Sequence, residues 1–260
     1  MRKYFFFDYD GTLAIPRTYT IPESTQKALQ ELQDQGHFIA LATGRLQCNA
    51  LDYINSMGIQ NIVADGGFSV TINGKLIWME PLELSSVKEC LRRLELAGIP
   101  WAVTVRNELA RYSPDPRFAE IAGDYYVPTK IDESLDVDSL ECVYKAYVPC
   151  KQGKEQDELI ESGILDGVPW ARYNSDNIFI EPLDKARGIR RMMEELGASD
   201  KLSDVVVFGD GKNDLSMFSA EWTSIAMGNA IPELKACADY VTADCDKGGI
   251  YDACKHFGWL

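Results

Sequence analysis

The chain has 260 residues, room for one large domain or two modest ones. Hydrophobic residues make up 46% and charged residues 25%, so a full core is expected and global disorder is not. A formal net charge of -14 excludes the clustered Lys and Arg that a nucleic-acid surface or an anionic-lipid surface requires. It leaves open a small phosphorylated partner, because one metal ion and one lysine make a local positive site.

Residues Lys3 to Phe7 form a short apolar run that ends in Asp8-Tyr9-Asp10-Gly11-Thr12, the pattern of a buried parallel strand. A helix should follow, with Pro22 near its start, Ala28, Leu29 and Leu32 on one face, and Gly36 at its end. Phe38 to Ala42 is a second apolar run, ending in Thr43-Gly44-Arg45. Another amphipathic segment stops at Gly58, and a third run, Ile62 to Ala64, ends in Asp65-Gly66-Gly67. Val70 to Trp78, with Asn73-Gly74 inside it, has the signature of a hairpin.

From about Pro81 to Glu181 the texture changes. Helical stretches (Ser85 to Ala97, Lys154 to Ser162) mix with strand-like pieces (Trp101 to Val105, Val143 to Val148, Asn177 to Glu181) and proline-containing links. This is the pattern of a second α+β domain inserted into the first. The α/β rhythm then returns with a helix from about Lys185 to Leu196 and an apolar run, Val205 to Phe208. That run ends in Gly209-Asp210-Gly211-Lys212-Asn213-Asp214, and Ser224 to Met227 and Tyr240 to Thr242 look like further strands.

The N-terminal apolar run is too short for the core of a signal peptide, and no stretch reaches the roughly 18 apolar residues of a membrane span. The seven cysteines are scattered without a Cys-x-x-Cys pair, which fits reduced thiols and a cytoplasmic protein. His37 and His256 lack ligand spacing, so zinc is not expected.

Ligand sites of open parallel sheets lie beyond the carboxyl ends of the strands. Here the first run ends in Asp8 and Asp10, which an extended chain would point the same way. The second ends in Thr43, a hydroxyl donor, and Gly44. The run from Val205 ends in Asp210, Asn213 and Asp214. Four carboxylates around one point require a cation, and all-oxygen ligands suit Mg²⁺, which commonly accompanies phosphate.

Taken together, Asp8-Tyr9-Asp10-Gly11-Thr12, Thr43-Gly44-Arg45, Lys185 and Gly209-Asp210-Gly211-Lys212-Asn213-Asp214 resemble the four motifs of the haloacid dehalogenase (HAD) superfamily. Ile225-Ala226-Met227-Gly228-Asn229-Ala230 looks like the segment that follows the fourth motif in its Cof-type sugar-phosphatase branch. The resemblance implies a Rossmann-like α/β core with a parallel sheet, residues 1–80 and 182–260. It also implies an inserted α+β cap of the C2B type, residues 81–181, which sets substrate specificity.

It further implies a Mg²⁺-dependent phosphatase for small phosphate monoesters such as sugar phosphates. Asp8 would be the nucleophile, forming an aspartyl-phosphate, and Asp10 the general acid and then base. Mg²⁺ would sit on Asp8, Asp210 and the backbone carbonyl of Asp10, with Asp214 holding it through water. Gly11, Thr43, Gly44, Lys185 and Asn213 would bind the phosphoryl group. A phosphomutase of the phosphomannomutase type and a non-catalytic phospholigand sensor are the rival readings.

Three positions depart from the family pattern: Asp65 replaces the usual Asn, Ala186 the usual Gly after the lysine, and Asp244-Cys245-Asp246-Lys247 a usual acidic stretch. The extra carboxylate at Asp65 is expected to bear on substrate contacts, and Ala186 to be harmless. Arg45 reads chiefly as a structural or surface cation. Arg106, Asn107, Arg172 and Asn174 are the polar candidates of the inserted domain for gripping a leaving group.

Overall fold

The computed structural model describes residues 2–54, 57–123, 127–173 and 175–260. Asn174, one of the candidates above, lies outside them. The chain divides into two compact units, residues 1–79 with 184–260 and residues 80–183.

In chain order the first unit opens with β1 (Tyr4–Phe7), α1 (Glu23–Asp34), β2 (Phe38–Ala42), α2 (Gln47–Ile54), β3 (Ile62–Ala64), β4 (Ser69–Ile72) and β5 (Lys75–Met79). The second unit contains α3 (Leu84–Leu96), β6 (Ala102–Thr104), β7 (Arg111–Ser113), α4 (Arg117–Ala122), β8 (Thr129–Ile131), β9 (Lys145–Pro149), α5 (Lys154–Glu161), β10 (Trp170–Arg172) and β11 (Asn177–Ile180). The first unit then resumes with α6 (Lys185–Glu195), β12 (Val205–Gly209), β13 (Thr223–Ala226), α7 (Pro232–Cys237), β14 (Tyr240–Val241) and α8 (Gly249–His256).

The first unit is an eight-stranded sheet in the order β14-β13-β12-β1-β2-β3-β4-β5. The strands from β14 to β3 are parallel; β4 and β5 add an antiparallel hairpin whose turn residues, Asn73 and Gly74, both have positive φ. Strands β1, β2 and β12 are buried along their whole length, which is why they read as unbroken apolar runs. Alternate residues of β1 serve opposite faces. Phe5 and Phe7 pack with Leu29 and Leu32 of α1 and with Ile250 and Ala253 of α8. Tyr4 and Phe6 pack with Ile189, Met192 and Met193 of α6.

This strand order places the site. From β1 the chain winds outward through β2 and β3 on one side, and through β12, β13 and β14 on the other. The boundary between β1 and β12 is therefore the topological switch point, where the crossovers diverge and leave a crevice at the strands' carboxyl ends. Asp8 follows β1 and Asp210 follows β12.

The second unit is a six-stranded sheet, β10-β11-β9-β6-β7-β8, antiparallel except for β7 with β8. One face packs on α3 and α5 through Val103, Ala146, Val148, Ile178 and Ile180 with Leu91, Leu94 and Leu159. The second unit also contains an ion pair between Lys145 and Glu181, with side chains 2% and 1% exposed, and Glu181 further accepts the Tyr173 hydroxyl. Removing one partner of such a pair leaves a buried charge uncompensated. Lys145→Met is expected to cost about 3–5 kcal/mol, read as a lowered urea midpoint; an unchanged midpoint would show that the pair is not held dry in solution.

Candidate active site

The strand β1 stops at Phe7, and Asp8 is anchored to the neighbouring strand by its N–H, which donates to the Phe208 carbonyl at 3.0 Å. The chain then turns. Gly11 takes φ +92°, and the N–H groups of Gly11 and Ala14 donate to the carbonyls of Ala14 and Tyr9. A β-carbon at Gly11 would come within 2.2 Å of an Asp210 carboxylate oxygen. Glycine is therefore required twice at this position, by its backbone angle and by the approach of the β12 loop.

Three carboxylates converge where the two strands end: single oxygens of Asp8, Asp210 and Asp214 lie within 4.8 Å of one another. Lys185, from the first turn of α6, reaches into them. Its Nζ donates to Asp8 Oδ1 at 2.6 Å and to Asp214 Oδ1 at 2.5 Å, and its side chain is 1% exposed. The helix start is fixed by Asp184, whose carboxylate accepts the Arg187 N–H, and by Ser216, whose hydroxyl accepts the Lys185 N–H. Asp214 Oδ2 accepts the N–H groups of Asp210 and Gly211, both at 2.9 Å. Thr12 donates its hydroxyl to Asp210 Oδ1 at 3.0 Å, and Asn229 donates to the Gly11 carbonyl at 2.8 Å.

The electrostatics follow from this crowding. Burial, then the charge of Asp214, pushes the Asp8 carboxyl well above the ordinary carboxylate range, and Lys185 only partly opposes them. Asp210 is raised to about 7, by burial first and Asp214 second. Burial alone would depress Lys185, but Asp214 and Asp8 outweigh it and hold the ammonium above its usual value. One lysine thus leaves the carboxylates under-compensated. An all-oxygen, anionic donor set with unspent negative charge fits a hard divalent cation such as Mg²⁺.

The remaining predicted residues are placed as follows. Thr43, buried, ends β2, and its Oγ1 accepts the Arg45 N–H at 3.1 Å. Gly44 follows in the same loop. Asn213 is half-buried beside the cluster, in the turn that carries Asp214.

Asp10 stands past the end of β1, and its carboxylate is not among the converging three. It is held instead by Arg45, whose Nε donates to Oδ2 at 3.0 Å and whose Nη2 donates to Oδ1 at 2.8 Å. Of the two expectations for Arg45, a structural or a surface cation, this contact fits the first.

Asp65 is buried and faces protein partners. It stands at φ +49°, and its Oδ2 accepts the Ser69 hydroxyl at 2.7 Å and the N–H of Gln47, first residue of α2, at 3.2 Å. Ala186 is buried in the packing of α6 on the sheet. In the second unit, Arg172 is spent on an exposed ion pair with Asp157.

The family pattern of the haloacid dehalogenase-like hydrolases matches residues 5–254. The chain belongs to that family. It falls in the Cof-type branch, and it is an enzyme of the phosphatase kind. A Bacillus subtilis (strain 168) relative named "Putative phosphatase YkrA" is 31% identical over 99% of this chain and 98% of its own. The 5-amino-6-(5-phospho-D-ribitylamino)uracil phosphatase YitU of the same organism is 25% identical over 94% of this chain and 93% of its own. The solved structure of the HAD subclass IIB sugar phosphatase BT4131 superposes with a TM-score of 0.78 at 28% identity, covering 99% of this chain and 100% of that one. Among the described residues no helix is long and apolar enough to cross a membrane.

The raised carboxyls of this HAD hydrolase set a pH dependence. In the unfolded chain Asp210 titrates near 3.8, and in the folded, metal-free site near 7. The folded state therefore holds a proton that the unfolded state has lost, and stability falls as pH rises through that window. Without Mg²⁺, the thermal midpoint of the wild type should drop more between pH 4 and 7 than that of Asp210→Asn. Saturating Mg²⁺ should abolish the difference; identical slopes for the two proteins without metal would contradict the assignment.

Proposed function

We propose that this HAD hydrolase is a Mg²⁺-dependent phosphatase that cleaves small phosphate monoesters, sugar phosphates first among them, through an aspartyl-phosphate on Asp8. The observation that carries the reading is the meeting of Asp8, Asp210, Asp214 and Lys185 at the switch point of the sheet. The sugar-phosphate class is supported by the likeness to BT4131, a sugar phosphatase, across nearly the whole chain.

In this reading Asp8 presents its carboxylate to phosphorus. Lys185 fixes Oδ1 of that carboxylate and offsets charge on the phosphoryl oxygens. Thr43, with the backbone at Gly44 and Gly11, and Asn213 orient those oxygens. Asp8 and Asp210, with the main-chain carbonyl of Asp10, would hold Mg²⁺, and Asp214 would hold it through water. The ion, when bound, supplies charge neutralisation for the phosphoryl group. Asp10 protonates the ester oxygen as it leaves and later takes a proton from the attacking water. Phosphoryl transfer needs mainly positioning and charge stabilisation, which this set provides. Residues 80–183 act as a cap that selects the ester.

The test is phosphate release from p-nitrophenyl phosphate and a panel of sugar phosphates, with Mg²⁺ and with chelator, for wild type and Asp8→Asn. Turnover should require both the metal and Asp8, with Asp8→Asn at least about a thousandfold slower, the scale of losing a covalent nucleophile. An isomerised sugar phosphate in place of free phosphate would convert the reading to a mutase. Mg²⁺-linked ligand binding without turnover would convert it to a sensor.

A further inference from the structure

Arg45 is more firmly held than the carboxylate it binds. Its guanidinium carbon lies 4.5 Å from the ring centroid of Tyr53, 5.4 Å from that of Tyr9 and 5.5 Å from that of Tyr19. Cation–π attraction to three faces fixes a planar cation that a lysine could not imitate. The backbone of Arg45 is tied at both ends: its N–H donates to Thr43 Oγ1, and its carbonyl accepts the Asp65 N–H at 2.9 Å. The side chain is 14% exposed, whereas that of Asp10 is 46% exposed. The buried partner is thus the anchor and the accessible partner is what it holds.

Asp10 lies two residues from Asp8, and its charge is felt there. A cation drawn to Asp8, Asp210 and Asp214 would attract the Asp10 carboxylate as well. Arg45 supplies a rival cation that engages both oxygens by a two-pronged contact. Each oxygen retains a second lone-pair site for a proton.

We infer that Arg45, gripped by Tyr9, Tyr19 and Tyr53, is the positioning residue that keeps the Asp10 carboxylate apart from the metal-binding carboxylates and aimed for proton transfer to the leaving oxygen. The inference rests on the reading of Asp10 as general acid. In that step the bond from an Asp8 oxygen to phosphorus forms as the ester P–O bond breaks. The electron pair of the broken bond goes to the ester oxygen, which takes the proton from Asp10. In the second half Asp10 takes a proton from water as its oxygen displaces Asp8 from phosphorus, so the cycle consumes one water and returns every residue to its starting state.

The test uses the dependence on the leaving group. The kcat/KM of phenyl phosphate and of p-nitrophenyl phosphate reports steps up to loss of the alcohol. Phenol needs a proton to leave; the more acidic p-nitrophenol needs far less of one. General acid catalysis is worth roughly 10²–10⁴-fold. Arg45→Ala should therefore lower kcat/KM by at least about tenfold for phenyl phosphate and markedly less for p-nitrophenyl phosphate, following the selectivity of Asp10→Asn. Arg45→Lys, which keeps charge and bulk but loses the fork, should show the same selectivity in weaker form. Equal losses on both esters, or no loss on either, while Asp10→Asn is selective, would overturn the role of Arg45 alone. If Asp10→Asn is itself unselective in an active wild-type background, the general-acid reading falls and the inference falls with it.

Discussion

Everything at the site hangs on one buried ammonium group. Lys185 joins two carboxylates that come from opposite ends of the chain, Asp8 after β1 and Asp214 in the loop after β12. A charge taken out of water is expensive unless it is paired and hydrogen-bonded, and here three charges are taken out together. Further donors meet two of the remaining oxygens. Asp214 Oδ2 collects two backbone N–H groups, and Asp210 Oδ1 collects the Thr12 hydroxyl. The lysine stands in the first turn of α6, whose burial on the sheet through Ile189, Met192 and Met193 leaves its side chain no other place to go.

A second electrostatic compartment stands beside the first. Asp10 and Arg45 form a partly exposed pair, and their cation is supported by aromatic faces instead of buried acids. The two compartments share a short stretch of backbone, from Asp8 to Asp10, yet the Asp10 carboxylate is held by Arg45 and is not among the three that converge. Separation of this kind lets neighbouring aspartates take different chemistry. In the proposed mechanism the buried one, its charge shared by Lys185 and a bound cation, attacks phosphorus, and the accessible one carries the proton.

The parallel strands were legible because they are buried on both faces, so β1, β2 and β12 appear as unbroken apolar runs that end in acids. The acids at those strand ends pointed to Asp8, Asp210 and Asp214, the family resemblance alone pointed to Lys185, and the structure brings these four together. Asp10 lies past the end of β1, where the alternation of a strand no longer says which way a side chain points. The surroundings of Arg45 were hidden because Tyr9, Tyr19 and Tyr53 have no common spacing in sequence and meet only through the fold. In residues 80–183, β7, β8 and β10 have three residues each, too few for any period to register. Helix α8 escaped notice because it opens on Gly249, a poor helix former whose place is set by packing against the Ala243 carbonyl.

The aspartate at position 65 shows why a departure from a family pattern has to be read through its hydrogen bonds. The backbone there is left-handed, a conformation that Asn and Asp tolerate better than other side chains, so either residue fits. What the position asks of the side chain is an acceptor, for the Ser69 hydroxyl and for the leading N–H of α2. A carboxylate meets that demand at least as well as an amide, and its negative charge is favourable at a helix N-terminus. The charge is registered nearby: Cys48 is pushed up to about 11, by burial first and Asp65 second. Meanwhile the main chain of residues 65 and 66 donates to the carbonyls of Arg45 and Thr43. Asp65 therefore fixes the start of α2 and the loop before it, the loop that carries Thr43 and Arg45.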